Sequence, residues 1–590
     1  MKHSLLLLFF SLHLLAAEPE FPLTADSKPQ ADVAKGTLIK DSYTAPESSV
    51  FPGTVREYQI YLPAGFDKTQ PAHFMVFQDG VIYQAPVVFD NLIAKKDIPS
   101  LVGIFIKPGV VPAANDNALP RFNRSYEYDS ITPTYSKFLI EEFLPAIEKK
   151  HAISLSQDPN HAAISGNSSG GICAFMVAWH RPDRFRRVFT GVGTYVGIHG
   201  ADQLPVLVRK IEPKPLRIYL QSGTGDNNLY CGDWWMANQM MERSLTWAGY
   251  DVNHAWGEGG HNQKHASQIF PDVLRWLWRD WQTDIEVKAN PKGESKWKGY
   301  EVVGDDWISI PRPDGAVHNL TASSNGEIWG VLQTKGGREV WRISPTPFTR
   351  HLSSDSWQSS DPLSGYVPAY SAFDREGNLV VVDGISLVTT RSSEIVRSQP
   401  QDGGLIRDIV LAWDGRFVCS SELNDPPLVG TWLPSTRQMT VIPNTTSTVG
   451  KHGYPQDLCL SPDQTQLYIT NRPSTHIVAC TFTKDAKIKH YQNFAELDVA
   501  FETLQVGGLC VDTEGRLYVA TSLGIQVCDQ AGRVNFIIPT PKPAHDVCFG
   551  GKDLSELFIA CGDTIYKRPT KVHGVVSGQQ APIKPAPPKL

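Results

Sequence analysis

Between residues 55 and 281 two kinds of apolar pattern alternate along the chain. Val55–Leu62, His73–Phe77, Leu101–Ile106, His161–Ile164, Arg187–Val192 and Leu216–Leu220 are short runs of largely apolar residues, and each predicts a strand. Residues 135–150 instead carry Phe138, Leu139, Phe143, Leu144 and Ile147 at helical spacing, and Ile172–Trp179, Met236–Ala248 and Ile269–Trp281 predict further helices. Strands alternating with helices predict a mostly parallel sheet covered on both faces, here a domain over 51–285.

The second half has a different rhythm. Ser324-Asn325-Gly326-Glu327-Ile328-Trp329 recurs in kind as Asp374-Arg375-Glu376-Gly377-Asn378-Leu379 and Trp413-Asp414-Gly415-Arg416-Phe417. It returns as Pro462-Asp463-Gln464-Thr465-Gln466-Leu467, as Thr513-Glu514-Gly515-Arg516-Leu517 and, more loosely, as Gly551–Leu557. Each copy is a turn leading into a strand, and the copies lie about 40–50 residues apart, the length of one four-stranded blade. The expectation is an all-β six-bladed propeller over 298–575. The polar stretch Asp284–Lys296, with Pro291 and Gly293, predicts a linker at 286–297, and the Pro-, Lys- and Gln-rich end predicts a disordered tail at 576–590.

The chain begins with Lys2 and His3, an apolar run from Leu5 to Leu15, and Ala16-Ala17 before Glu18. That is the pattern of a secretory signal over 1–17, with a run too short to span a bilayer, followed by a polar leader at 18–50. It predicts export to the periplasm or the extracellular space and no stable membrane insertion. Composition adds little: 590 residues, 41% hydrophobic and 20% charged, suit a soluble chain of two large domains. A formal charge of -6 lacks the basic footprint of a nucleic-acid binder. Nine cysteines without a C-x-x-C pair encode neither a zinc ribbon nor a redox pair, and seven of them lie after residue 400, several in apolar runs where thiols pack as small hydrophobes.

The candidate chemistry lies in the first domain. Ile164-Ser165-Gly166-Asn167-Ser168-Ser169-Gly170-Gly171 reads G-x-S-x-G between a predicted strand and a predicted helix, the context in which a sharp turn lifts a serine hydroxyl clear of its sheet. A serine nucleophile needs a base, and the base needs an acid to orient it. In chain order the acid follows the serine after a late strand and the histidine comes last. Asp226, in the loop after Leu216–Leu220, and His261, in Gly257-Glu258-Gly259-Gly260-His261, meet that order. Asp233 is the alternative acid and His265 the alternative histidine. Two amides must hold the oxyanion. One is expected from Ser169 and the other from the loop after Phe77, with Asp79 or Gly80 as the donor. Arg124, Glu127, Trp234 and Trp235 are candidates for the substrate cleft.

Residues 50–285 resemble the enterochelin esterase/esterase D group of α/β-hydrolases. The resemblance is carried by Gln78-Asp79-Gly80, Arg124–Tyr128, Gly166–Gly171, Leu216–Asp226, Trp234–Gln239, Gly257–His261 and Leu274–Asp280. It implies carboxylic-ester hydrolysis through an acyl-enzyme with Ser168 as nucleophile and His261 as base, and it implies no cofactor. The group's substrates range from siderophore esters to acyl groups on plant polysaccharides. Most of 300–570 resembles the gluconolactonase/regucalcin propellers, through Gly507–Asp512 and Phe549–Asp553. That family hydrolyses sugar lactones with a divalent cation held by a Glu, two Asn and an Asp, each eight residues before the turn glycine. The same offset falls here on His318, Arg407, Gln456 and Gly507, with Asp408 and Asp457 close by. A hard cation needs anionic oxygen ligands and a guanidinium repels it, so a propeller without metal is expected.

The sequence therefore predicts an exported serine esterase acting on an ester substrate, carbohydrate-linked or of siderophore type, with the propeller as an accessory binding domain. Two alternatives stand beside it: a metal-dependent sugar lactonase with its activity in the propeller, and a binding protein without enzymatic activity.

Overall fold

The computed structural model describes residues 20–287, 295–335, 337–352, 368–383, 386–391, 394–398, 406–421, 428–433, 438–441, 454–483, 488–499 and 504–587. The predicted signal at 1–17 lies outside them, as does most of the predicted linker. The chain divides into two compact units, Met1–Pro205 with Lys214–Ala289, and Val206–Pro213 with Asn290–Leu590.

The strands of the first unit are β1 (Thr37–Thr44), β2 (Val55–Leu62), β3 (His73–Gln78), β4 (Leu101–Ile106), β5 (Val110–Val111), β6 (Arg121–Phe122), β7 (Ala162–Asn167), β8 (Arg187–Gly191), β9 (Arg217–Gly225), β10 (Asn228–Leu229), β11 (Gly232–Asp233) and β12 (Asp251–Gly260). Ten of them form one sheet in the order β12-β9-β8-β7-β3-β4-β2-β5-β6, with β1 added on β2. From β12 to β4 every pairing is parallel, and β2 and β1 join antiparallel. The helices are α1 (Ala85–Lys95), α2 (Arg124–Tyr128), α3 (Thr134–Lys137), α4 (Leu144–His151), α5 (Ser169–His180), α6 (Leu204–Lys210), α7 (Trp234–Ala248) and α8 (Lys264–Trp278).

The central strands β3, β4, β7 and β8 are buried along almost their whole length, which is why they read as largely apolar runs rather than as alternation. One core packs Phe77, Phe89, Phe105, Phe189, Phe270 and Trp278 between sheet and helices. The helix expected over 135–150 holds a π turn, Phe138–Phe143, immediately before α4, where Pro145 has no N–H to donate back to residue 141.

The leader proves structural. Thr37–Thr44 alternates partly buried and exposed positions and pairs residue by residue with Val55–Leu62, and Phe21 stacks on His265 at 4.7 Å. The domain therefore begins well before residue 51.

The second unit is a β-propeller of four-stranded antiparallel sheets, of which six are described. The last combines Asp546–Gly550, Glu556–Cys561 and Thr564–Pro569 with Ile308–Ile310 from the beginning of the unit, so the two ends of its chain share one sheet. The repeated turns have one geometry. The amides of Ser323, Asp374, Ala412 and Asp512 donate to the carbonyl four residues on, and the turn glycine donates back to the first residue. Gly326, Gly377, Gly415 and Gly515 lie at φ between 81° and 85°, the left-handed region that glycine adopts without strain. In the copy without glycine, Gln464 takes φ 56°, and its side chain is held by the Trp413 amide and the Ser577 carbonyl.

Eight of the nine cysteines are buried. The end of the chain differs from its prediction as a disordered tail. The Ser577 hydroxyl donates to Leu411 O (2.6 Å), Ile583 N to Pro462 O (2.8 Å) and Gln530 Nε2 to Ala586 O (2.7 Å). The extended, proline-rich segment is fixed by hydrogen bonds to the turns rather than by an apolar face, so no hydrophobic period marks it.

Candidate functional site

Three side chains leave the carboxyl ends of neighbouring parallel strands: Ser168 after β7, Asp226 after β9 and His261 after β12. That edge of an open sheet, where loops are free to diverge, is where such folds place their ligands. Ser168 lies at φ 59° and ψ -122°, a strained conformation for a residue with a Cβ. Its turn is held from both sides, since Ser168 N donates to Gly191 O (2.8 Å) and Thr194 N to Ser168 O (3.2 Å). The flanking glycines are required by contact: a Cβ on Gly166 would lie 2.1 Å from Gly170 O, and one on Gly171 would lie 2.9 Å from the Thr190 hydroxyl.

The Ser168 hydroxyl is 2.7 Å from His261 Nε2, and His261 Nδ1 is 2.6 Å from Asp226 Oδ1. The Asp226 side chain is fully buried and also accepts from the Ser222 hydroxyl (2.7 Å) and the Asn227 amide (2.8 Å), which fixes the oxygen that faces the imidazole. Trp234 packs edge-on against the His261 ring at 5.6 Å, and its Nε1 donates to Thr194 Oγ1, itself 3.4 Å from Ser168 Oγ. The arrangement can move a proton from serine to histidine and hold the resulting imidazolium in place.

Asp226, not Asp233, meets the histidine. Asp233 caps α7 by accepting from Met236 N at 3.0 Å, the usual use of an aspartate just before a helix. His265 stands apart from the relay, buried against Phe21 with Nδ1 3.2 Å from Gln221 Nε2, and burial lowers its pKa. At the predicted oxyanion loop, Gly80 N donates to Ile106 O (3.1 Å) and is already spent. Among the described residues no hydrogen bond engages the amides of Asp79 or Ser169. Asp79 sits at φ 65° with its carboxylate gripped by Arg124, Nε to Oδ1 at 2.7 Å and Nη2 to Oδ2 at 2.8 Å. Arg124 Nη2 also reaches Asn167 O at 3.4 Å, so one guanidinium ties the Asp79 loop to the serine turn.

Glu127, expected in the cleft, is instead a buried structural group. It pairs with Arg56 at 2.6 Å with both side chains fully buried, and it accepts from Gly109 N. Trp234 is buried beside the histidine, whereas Trp235 is half-buried against Trp256. Thr194, Asn167 and Tyr83 were missed by the sequence reading. Tyr83 OH donates to Gly166 O (3.1 Å) and lies 3.2 Å from Asn167 Oδ1. Asn167 ends β7 inside the G-x-S-x-G motif, and the signal of Thr194 and Tyr83 is position, in loops at the carboxyl edge, which becomes visible once the strand order is known.

In the propeller, His318, Arg407, Gln456 and Gly507 lie at breaks in strand register, between Val317 and Asn319, Ile406 and Asp408, Pro455 and Leu458, and Val506 and Leu509. The four residues do not fit a divalent cation. An aspartate at 507 has no room, because a Cβ there would lie 2.0 Å from His545 O. The neighbouring carboxylates face the wall: Asp408 Oδ2 accepts from Leu458 N (2.7 Å) and Asp546 Oδ2 from Leu320 N (2.6 Å). Burial, and then the nearby Asp457, pushes the Asp546 carboxyl up to about 8. Among the described residues no group of three or more His, Cys, Asp or Glu is placed to hold a metal ion.

A serine–histidine–aspartate relay on a parallel sheet, joined to a propeller, defines the class of chain. Residues 49–265 match the family model described as "Putative esterase", and residues 371–562 match that of the SMP-30/gluconolactonase/LRE-like region. The chain thus joins an esterase-family domain to a gluconolactonase-like one. An iron(III) enterobactin esterase of Dickeya dadantii is 29% identical over 152 residues, which is 23% of this chain and 33% of that protein. This chain therefore spans about a third of the length of the curated relative it matches. Among solved structures, the enterobactin esterase of Shigella flexneri is 20% identical, covering 42% of this chain and 61% of the other with a TM-score of 0.33. A gluconolactonase of Xanthomonas campestris is 19% identical, covering 46% and 91% with a TM-score of 0.38.

The buried pair gives a prediction that separates the two readings of Glu127. Glu127→Ala leaves the Arg56 charge buried without its carboxylate and is expected to cost about 3–5 kcal/mol, read as a lower urea midpoint of the first unit. A cleft role predicts the opposite result: an unchanged midpoint with a fall in ester turnover.

Proposed function

We propose that the chain is an exported serine carboxylic-ester hydrolase with an α/β-hydrolase catalytic domain. The observation that carries this reading is the continuous relay Ser168–His261–Asp226, with contacts of 2.7 and 2.6 Å, on a serine held at positive φ. In the first half-reaction His261 Nε2 takes the Ser168 proton as Oγ attacks the ester carbonyl carbon. The amides of Ser169 and Asp79 hold the oxyanion, and the Asp226 carboxylate fixes the Nδ1–H tautomer and stabilises the imidazolium. His261 then returns the proton to the departing alcohol, leaving an acyl group on Ser168. In the second half-reaction the same nitrogen deprotonates water, which releases the acid and restores the hydroxyl.

The substrate class is an ester linked to carbohydrate or of the siderophore type. It rests on likeness to an enterobactin esterase and on Trp234, whose ring lies against His261. Export rests on the apolar run Leu5–Leu15. Among the described residues no helix is long and apolar enough to cross a membrane. We read each four-stranded sheet of the second unit as one blade of a six-bladed propeller. Support comes from the inner strands, which contact one another in succession from Ala316–Ala322 through to Asp546–Gly550 and back to the first. The propeller's role is then accessory binding.

Hydrolysis of p-nitrophenyl acetate tests the assignment. Ser168→Ala is expected to lower kcat by about 10⁴–10⁶, and EDTA to leave the wild-type rate unchanged. Activity that survives the substitution but disappears with EDTA would move the chemistry out of the first domain. Arg124 makes a finer test. Because it holds Asp79 without reaching the serine oxygen, Arg124→Ala should reduce kcat by about 10²–10³ with KM little changed, the cost of misplacing one oxyanion donor. Arg124→Lys should recover only part of the loss, since an ammonium cannot make the paired contact. A change confined to KM would make Arg124 a substrate-binding residue instead.

A further inference from the structure

The strand that delivers His261 is irregular just before it. β12 pairs with β9 in unbroken parallel register as far as Gly257 with Gly223, and the next pair is Gly260 with Gly225. Glu258 and Gly259 therefore stand opposite Thr224 alone, a bulge of one extra residue at the end of the strand. A bulge bends its strand and re-aims the side chains that follow it. The side chain that follows here is His261, whose Nε2 meets Ser168 and whose Nδ1 meets Asp226.

A bulge is also a soft point, because its extra residue has no partner in the ladder. Close contacts hold this one. A Cβ on Gly223 of β9 would lie 2.3 Å from Gly259 O, so the two backbones touch. The remaining cover comes from the far end of the chain. Cε2 and Cζ of Phe21 lie 3.0 and 3.1 Å from the place a Cβ on Gly259 would take, and the Phe21 ring stacks on His265 at 4.7 Å with 24° between the planes. His265 in turn covers Gly257, where a Cβ would lie 2.7 Å from its Cε1. One ring thus sits on the residue before the bulge and the other on the bulge itself.

Phe21 is kept there by its own segment. Asp26 pairs with Arg275 of α8 (2.6 Å) and with Lys95 of α1. Asn91 Nδ2 of α1 donates to the carbonyls of Asp26 (2.8 Å) and Lys28 (2.9 Å). The polar leader is therefore tied to both helices by charge and hydrogen bonds, and its one aromatic ring near residue 20 is spent on the loop of the histidine.

We propose that Phe21 is a positioning residue for the general base: its ring holds the Glu258-Gly259 bulge in place, and with it the aim of His261 between Ser168 and Asp226. The proposal rests on the reading of His261 as the base of a serine esterase.

Steady-state hydrolysis of p-nitrophenyl acetate and hydrogen exchange read by mass spectrometry, both on the full-length protein, test it together. Phe21→Ala is expected to lower kcat about 10–100-fold with KM little changed, the cost of a misaligned catalytic group. Phe21→Leu, which keeps an apolar side chain over Gly259, should retain more of the rate. In Phe21→Ala the peptide covering 257–262 should exchange faster, while peptides from α1 and from residues 269–278 keep their wild-type rates. Gly259→Ala is the second variant, because its methyl group would press on the Phe21 ring. It should lower kcat and speed the same local exchange, and removing the ring from it should cost far less than removing the ring from the wild type. Thermal melting establishes that each variant is folded, and if one is not, the other decides. Loss of rate without faster exchange at 257–262, or faster exchange without loss of rate, overturns the proposal. So does a change confined to KM, or losses that multiply in the double variant. Failure of the wild type to hydrolyse the ester is a separate result: it removes the esterase reading, and the exchange measurement then decides alone whether Phe21 holds the bulge.

Discussion

The hydrogen bonds that hold the Ser168 turn govern the geometry of the first domain's site. A serine at φ 59° stays there because its amide is taken by Gly191 O on the next strand and its carbonyl by Thr194 N, while glycines at 166, 170 and 171 let the backbones close around it. The strain is supported by strands that are buried along their length, so the cost of the turn is spread over the core. Every other part of the relay is placed by strand order. β9 and β12 lie to one side of β7, in parallel, and their ends bring Asp226 and His261 up to the serine.

The same logic explains the ion pairs near the site. Arg124 and Glu127 stand on one short helix but serve different ends. Arg124 reaches toward the cleft and fastens the Asp79 loop to the serine turn. Glu127 points inward, where Arg56 lies over the Phe138 ring at 4.1 Å and neutralises it. α2 thus grips the Asp79 loop through Arg124 and is anchored to the sheet through Glu127.

The sequence showed what local chemistry and regular period can show. The Ser168 turn between strand and helix and the recurring glycine turns were legible because each depends on residues close in sequence, and the meeting of Asp226 and His261 with Ser168 followed from the order of strands that carry them. Which of Asp226 and Asp233 meets His261 was not legible, since both follow the same late strand; in the fold Asp233 caps a helix, and the Ser222 hydroxyl and Asn227 amide hold Asp226 against the imidazole. Thr37–Thr44 was hidden in a polar leader because an edge strand with one exposed face carries no apolar run. The terminal segment 577–587 is ordered by main-chain and amide hydrogen bonds to distant turns, contacts that leave no period in sequence.

In the proposed mechanism the acyl group is transferred to Ser168 Oγ. A serine-directed phosphonate with a p-nitrophenol leaving group, followed by intact-mass measurement and peptide mapping, tests this most directly. The account predicts a single adduct on the peptide that contains Ser168, formed at the rate at which ester turnover is lost, and its absence in His261→Ala. Loss of turnover with the adduct on another residue, or undiminished turnover after Ser168 is fully labelled, would contradict it.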